Sequence, residues 1–375
     1  MLSRRTCLKS VGGGIAALAT GGVSGVGEAA ETKSKATPSK LAIPGLYRGR
    51  VVKVQGDASI EKGVYRPETI RAMLRRGMTG LTGAADWVEA WKQFVEPGDV
   101  VGLKLNPVGA PHVISDASVV REVIAGLEAA GVKRKNIVVY DRYRDQFFQA
   151  GFDKWLPEGV RISHAAEKYD DIQQDIQGYD PEHYLDFPLT LPGYPLENEK
   201  ARRSYAARFI TQEVDKLINL PLLKDHQSAG ITMALKNLSH GLVNNVARSH
   251  GTRSLNACNT FIPAVVAMPI IRNKAVLHIM DGVKGLYHGG PGAQPQFVWE
   301  HKTLYFATDP VALDRIGWDV IDAKRVEVGK PKLVEDKPDQ FSTFVHRQPE
   351  HVEIAGALGL GEWDVKKIDL RSFKV

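Results

Sequence analysis

Short apolar runs, each closed by a polar or charged group, recur along this chain and constrain its fold more than any other feature. Asp99–Leu105 ends at Lys104 and Asn106, and Ile137–Tyr140 ends at Asp141. Leu217–Leu223 leads into Lys224, Asp225 and His226. Ala275–Met280 ends at Asp281, and Thr303–Ala307 ends at Thr308 and Asp309. Runs of this length bounded by polar groups read as buried strands. Helical stretches lie between them. Arg66–Gly77 carries Pro67 at a favourable first position, and Gly83–Phe94 follows. Ser115-Asp116 opens a helix through Ala130 that Gly131 closes, Phe261–Ile271 is apolar, and Val311–Lys324 starts behind Asp309, first a helix cap. With Arg50–Val54 as a first strand, the alternation predicts an α/β fold, a mostly parallel sheet flanked by helices. Residues 151–205 break the rhythm with five tyrosines and no clear period. They read as an irregular inserted lid-like segment rather than disorder, which would carry fewer aromatics.

The stretch from 217 to 245 concentrates the chemistry. Leu217–Leu223 is strand-like although Pro221 cannot donate to a ladder. Gly230–Leu242 reads as a helix, with Ile231, Ala234, Leu235 and Leu238 on one face. Thr232, Lys236 and His240 then follow at four-residue spacing on a second stripe, with Asn237 beside them. Ligands of open α/β sheets sit beyond the carboxyl ends of the strands, so this is the expected site. The plain alternative is that Lys236 and His240 only solvate a helix face while Asp225 caps its start.

Lys236, His226 and His240 are the expected catalytic groups, since histidine moves protons near neutral pH. Lys104, Asn106, Lys224, Asp225, Thr232, Asn237 and Asp281 are the expected substrate-binding groups. His288, Gly289 and Gly290 join them from a Gly-rich loop that could turn amides toward an anion; a turn chosen for shape is the alternative. Three lysines favour a carboxylate or phosphate. The expected function is therefore an enzyme acting on a small anionic substrate by Lys/His acid–base chemistry; the alternative is a binding protein or sensor without turnover. No metal site is expected. A helix filling most of the gap puts His226 and His240 roughly 20 Å apart, and no HExxH spacing occurs. Only distant loops, such as His226 with His288 and Asp281, could assemble one. Walker A, G-x-G-x-x-G and G-x-S-x-G motifs are also absent. Which cofactor, if any, is bound stays open.

Residues 1–30 read as a twin-arginine export signal, Ser3-Arg4-Arg5-Thr6-Cys7-Leu8-Lys9 and then a Gly-rich apolar region. The apolar region is too short and too broken by glycine for a stable membrane span. Residues 31–44 read as a linker and 45–375 as one α/β domain. The expected location is periplasmic or extracellular, with the export machinery as a partner. Cys7 leaves with the signal, so the mature chain keeps Cys258 alone. That rules out an intramolecular disulfide and a cysteine-ligated iron–sulfur cluster. The net charge is +6, and beyond residue 30 there remain 46 basic and 42 acidic residues. This spread charge suits a small anion and not nucleic acid.

LINLPLLKDHQSAGITMALKNLSHG, LHIMDGVKGLYHGGPG and TLYFATDPVALDRIGWDVIDAKR together resemble the domain-of-unknown-function 362 family, and GLKLNP is similar to its first signature. The resemblance covers most of residues 95–325. It implies an α/β fold with a ligand site and leaves the reaction unassigned. Some relatives carry ferredoxin-like cysteine clusters, which this chain lacks.

Changing Arg4 and Arg5 together to lysine should hold the precursor in the cytoplasm. Fractionation and immunoblotting check this, and normal periplasmic mature protein would refute the signal.

Overall fold

The computed structural model describes residues 39–375. The expected export signal and residues 31–38 of the expected linker lie outside the described residues. Ala42 and Ile43 are already buried, and the Ile43 amide donates to Arg272 O, so the packed body starts before residue 45.

Among the described residues, ten strands form one sheet: β1 (Arg50–Gln55), β2 (Val101–Lys104), β3 (Ile137–Tyr140), β4 (Arg161–Ser163), β5 (Lys216–Asn219), β6 (Leu222–His226), β7 (Gly230–Thr232), β8 (Ala275–Leu286), β9 (Val298–Ala307) and β10 (Asp369–Lys374). Their order is β10-β1-β9-β8-β5-β2-β3-β4, with β6 also on β8 and β7 on β6. Pairs β1–β10, β2–β3, β2–β5, β3–β4, β5–β8 and β6–β8 are parallel. Pairs β1–β9, β8–β9 and β6–β7 are antiparallel. The architecture is α/β with a mostly parallel sheet, as the alternation predicts.

Helices cover both faces. α1 (Pro67–Thr82) and α2 (Ala117–Ala129) share one core with Val52, Val54, Leu103 and Val139. α3 (Ala234–Leu242), α4 (Cys258–Val266) and α5 (Pro310–Glu327) share the other with Val51, Val138 and Leu217. Adjacent residues of one strand thus feed opposite cores, the period-two rule of strands. The helix ends follow local chemistry. Asp116 accepts from the Ser118 amide, and Asp309 accepts from the Val311 and Ala312 amides. Gly83 closes α1 at φ 73°, a left-handed backbone that favours glycine.

Two expected elements are divided differently. The run Leu217–Leu223 is broken at Leu220-Pro221, because proline has no N–H for a ladder; β5 stops before it and β6 starts after it. The expected helix 230–242 begins as β7, which turns back along β6 with Thr232 opposite Lys224. Only from Ala234 is the chain helical. The apolar spacing alone could not separate three strand residues from a first helical turn. In the 151–205 segment, β4 belongs to the main sheet, and Tyr179–Asp186 pairs with Arg203–Ala207 as a separate hairpin.

Helix α3 has no cap from its own preceding residue Met233. The carboxylate of Asp314, reaching across from α5, instead accepts from the Ala234 and Leu235 amides at 2.7 and 2.9 Å. Asp314→Ala should strand two buried amides and lower stability by about 3 kcal/mol. Chemical denaturation of the two proteins measures this; an unchanged midpoint would remove the cap.

Candidate functional site

At Pro221 the sheet divides. β5 lies between β2 and β8, and the last link to β2 is the Leu220 amide donating to Lys104 O. Beyond Pro221, β6 stays on β8, with β7 rather than β2 on its other edge. The gap between the end of β2 and β6 opens into a cavity of about 440 Å³. Helix α3 forms one wall, and Arg142, Tyr143, Tyr169 and Gln173 form another.

Most of the expected site residues meet here. Lys104 and Asn106 come from the tip of β2, Lys224 and His226 from β6, and Thr232 from β7; Lys236, Asn237 and His240 come from α3. Strand alternation turns Lys224 and His226 to the cavity and Asp225 away from it. Asp225 is fully buried behind β6, accepting from Arg347 Nη1 and the Gly290 amide, each at 2.9 Å. Asp281, Gly289, Gly290 and His288 do not line the cavity. Asp281 accepts from the Tyr65 hydroxyl at 3.1 Å. His288 accepts from Arg325 and Arg347 at Nδ1 and donates from Nε2 to Asp339 at 2.7 Å. The Gly-rich loop therefore supports β6 from behind, its Gly290 amide spent on Asp225.

A polar ladder fills the floor of the gap. Lys104 Nζ pairs with Asp141 at 2.6 Å and donates to Leu105 O and to Asn237 Oδ1. Asn106 Nδ2 donates to Asn237 Oδ1 at 3.1 Å, and Asn237 Nδ2 donates to Asn219 Oδ1 at 2.7 Å. Lys224 Nζ donates to Asn106 Oδ1 and to Val108 O. Lys236 differs from the other two lysines. It is only 7% exposed, and its ammonium has neither a hydrogen-bond nor an ion-pair partner among the described residues. The Thr232 hydroxyl is also unpartnered.

The charges do not balance. Asp141 offsets Lys104, but no carboxylate lies within ion-pair distance of Lys224 or Lys236 among the described residues. Burial, and for Lys224 also the neighbouring Lys236, lowers Lys224 to about 7; burial lowers Lys236 to about 8. Asp225, Asp281 and Asp309, which could have neutralised the lysines, are spent on Arg347, Tyr65 and a helix cap.

The histidines lie closer than the linear helix reading predicts. The chain reverses between β6 and β7, and His250 enters between the two expected residues. Its ring stacks on His226 with centroids 5.5 Å apart and meets His240 at 5.1 Å. His226 Nδ1 accepts from the Ser228 and Ala229 amides, which leaves Nε2 to carry the proton of the neutral ring. Both ring nitrogens of His240 have serine hydroxyls beside them, Ser239 and Ser249, at 3.0 Å. Burial holds all three histidines well below their ordinary range, His250 at about 3. His226, His288 and Asp281 are not grouped for a metal. Instead His240, His250 and Cys258 each place one donor atom within 4.8 Å of the others. His250 and Arg347 are absent from the sequence reading; neither sits at a strand tip, and nothing local marks them. Arg142 follows Asp141 at the end of β3, where the strand-tip pattern does mark it.

A family model described as a domain of unknown function (DUF362) matches residues 101–319. No curated protein matches the chain. A solved structure, that of a Thermotoga maritima protein from the Northeast Structural Genomics Consortium, is 14% identical at a TM-score of 0.31. The similarity covers 60% of this chain and 52% of that one, so the chain spans about half its length. Among the described residues no helix is long and apolar enough to cross a membrane.

Arg347→Ala should leave the Asp225 carboxylate buried without its cation, a loss of about 3–5 kcal/mol. The unfolding midpoint of the variant checks this, with Asp225→Asn in the Arg347→Ala background expected to recover part of it.

Proposed function

The chain belongs to the domain-of-unknown-function 362 family, and on that premise we propose that the divided sheet forms the site of an exported enzyme. It acts on a small carboxylate or phosphate by acid–base chemistry. The observation that carries the reading is Lys236, whose largely buried side chain brings an ammonium without a partner to the cavity wall, beside a second uncompensated lysine. Burying such a charge unpaired is costly, and a bound anion removes the cost. Lys224 is the anion-holding group, kept in place by Asn106 and Val108 O. Lys104 stays paired with Asp141 and sets the position of Asn237 and Asn106.

Lys236 and His226 are the proton-moving pair. An amine lowered to about 8 exchanges protons readily near neutral pH. His226 has its Nδ1 held by backbone amides, so its Nε2 is the atom that can donate to substrate. His240 is less suited, since both of its nitrogens already have hydroxyl partners. Tyr169 and Gln173, from the inserted segment, close one side of the cavity and limit the substrate to a small molecule. Export by the twin-arginine route would place this chemistry in the periplasm. A binding protein without turnover is the second reading. The low-lying histidines favour it, because a binder has no use for a ring tuned to neutral pH.

A screen of short dicarboxylates, hydroxy acids and phosphate esters separates the two. Dicarboxylate affinity should fall as pH rises through about 7 and then about 8, where Lys224 and Lys236 lose their protons. Each step is worth about tenfold if the anion raises each lysine by about one unit. Lys236→Met should remove the upper step. Proton NMR in deuterated water then looks for protein-catalysed deuterium incorporation into the ligand. Incorporation that Lys236→Met or His226→Gln abolishes supports the enzyme; binding without incorporation supports the sensor. Affinity independent of pH and of Lys236 would overturn both.

A further inference from the structure

The acid–base reading leaves one wall of the cavity unexplained. His240 and His250 line it, and Cys258, at the start of α4, lies fully buried behind them. The chain brings these residues together over a short span. The helical turn Ala247–His250 ends at Gly251, a loop closes through the Thr252 amide donating to Leu255 O, and the Ala257 amide returns to Ser249 O. Cys258 Sγ therefore stands 3.6 Å from Ser249 O and 3.8 Å from Ser249 Oγ, next to the hydroxyl that His240 Nε2 contacts. The two imidazole planes meet at 66°, so the rings approach by edges rather than by stacking. The His250 ring makes no hydrogen bond among the described residues, which leaves both of its nitrogens free. His250 lines the cavity, so these nitrogens stand open to a ligand that the chain itself does not supply.

We propose that His240, His250 and Cys258 hold one thiophilic transition-metal ion, of zinc-like character, with its fourth position turned toward the cavity. Two imidazoles and a thiolate form a donor set for zinc or copper, whereas magnesium and calcium require oxygen ligands. The donor atoms, within 4.8 Å of one another, need to close by about 1 Å to meet zinc bonds of about 2.0–2.3 Å, within reach of side-chain rotation. The thiolate supplies the negative charge that a cation needs beside the Lys236 ammonium. Whichever nitrogen of His240 binds, the other keeps a serine hydroxyl, from Ser239 or Ser249, an orienting contact typical of metal-bound histidine. The inference does not depend on the lysine chemistry, although an ion here would face the same substrate.

The test uses the full chain with Cys7→Ser, so that Cys258 is the sole thiol. The protein is stripped with chelator and titrated with Co²⁺ alone, without substrate, so its outcome is independent of the acid–base reading. One equivalent should produce thiolate-to-cobalt charge-transfer absorption, and Zn²⁺ should displace it. His250→Ala should weaken binding at least about tenfold, and Cys258→Ser should abolish the band. Circular dichroism confirms that each variant is folded. If Cys258→Ser unfolds, the alkylation rate of Cys258 in the Cys7→Ser protein decides instead. A tenfold slowing by Zn²⁺ and none by Mg²⁺ supports the site, and equal rates overturn it. The absence of a charge-transfer band, or a band undiminished in folded His250→Ala, also overturns it.

Discussion

The break at Pro221 is the constraint on which the rest of the site depends. A strand that continued straight from β5 would have stayed paired with β2, and the sheet would have closed over the ground where the cavity lies. The register with β2 ends at Asn219 opposite Lys104, and Pro221 follows with its ring nitrogen on the β8 side, where no N–H can continue a regular ladder. The Pro221 carbonyl is still used, accepting from the Asp281 amide, and this keeps the onward chain on β8. The outcome is a crevice beyond the carboxyl ends of parallel strands, where polar groups from several strands converge.

Dividing a sheet exposes backbone and side-chain polar groups that must find partners in a dry interior. Asn219, Asn237 and Asn106 meet that need in sequence, with Lys104 and Asp141 at one end. Behind β6 a second network does the same for the outward-facing side chain. There Asp225, Arg347, Asp336 and Arg325 alternate in sign, with Arg347 and Arg325 both paired to Asp336 at 2.6 Å. Alternating charges of this kind neutralise one another locally. They take up the Asp225 carboxylate, Asp141 is taken by Lys104, and the two central lysines of the cavity are left unbalanced. Packing of the support and charge of the cavity are thus one arrangement.

Helix α3 links the two halves. Its apolar side, Leu235, Leu238 and Leu242, is buried in the core it shares with Phe261 and Val265 of α4. Its first amides are tied to α5 through Asp314. Gly241 lets the helix come close to β2, since a Cβ there would stand 2.1 Å from Lys104 Cε. With the helix held from three sides, Lys236 has little freedom to swing toward solvent, and an unpartnered ammonium can persist at the cavity wall.

Much of this was legible in the residues themselves. Strands of period two that end in polar groups, and helices with caps at Asp116 and Asp309, depend on neighbours a few positions apart, so local spacing reveals them. Lys104, Asn106, Lys224, His226, Lys236, Asn237 and His240 could be grouped because each stands at a strand tip or on the helix that follows. The alternation that turns Asp225 away from Lys224 was in principle readable too, once β6 is extended to His226. Three-dimensional packing alone decided the rest. The reversal into β7 put His250 between two histidines that a straight helix would have kept apart. Arg347 lies 122 positions from Asp225, and Asp314 lies 80 from the amide it caps. Such pairs are selected by burial and charge compensation in the folded core, and those forces leave no periodic trace along the chain.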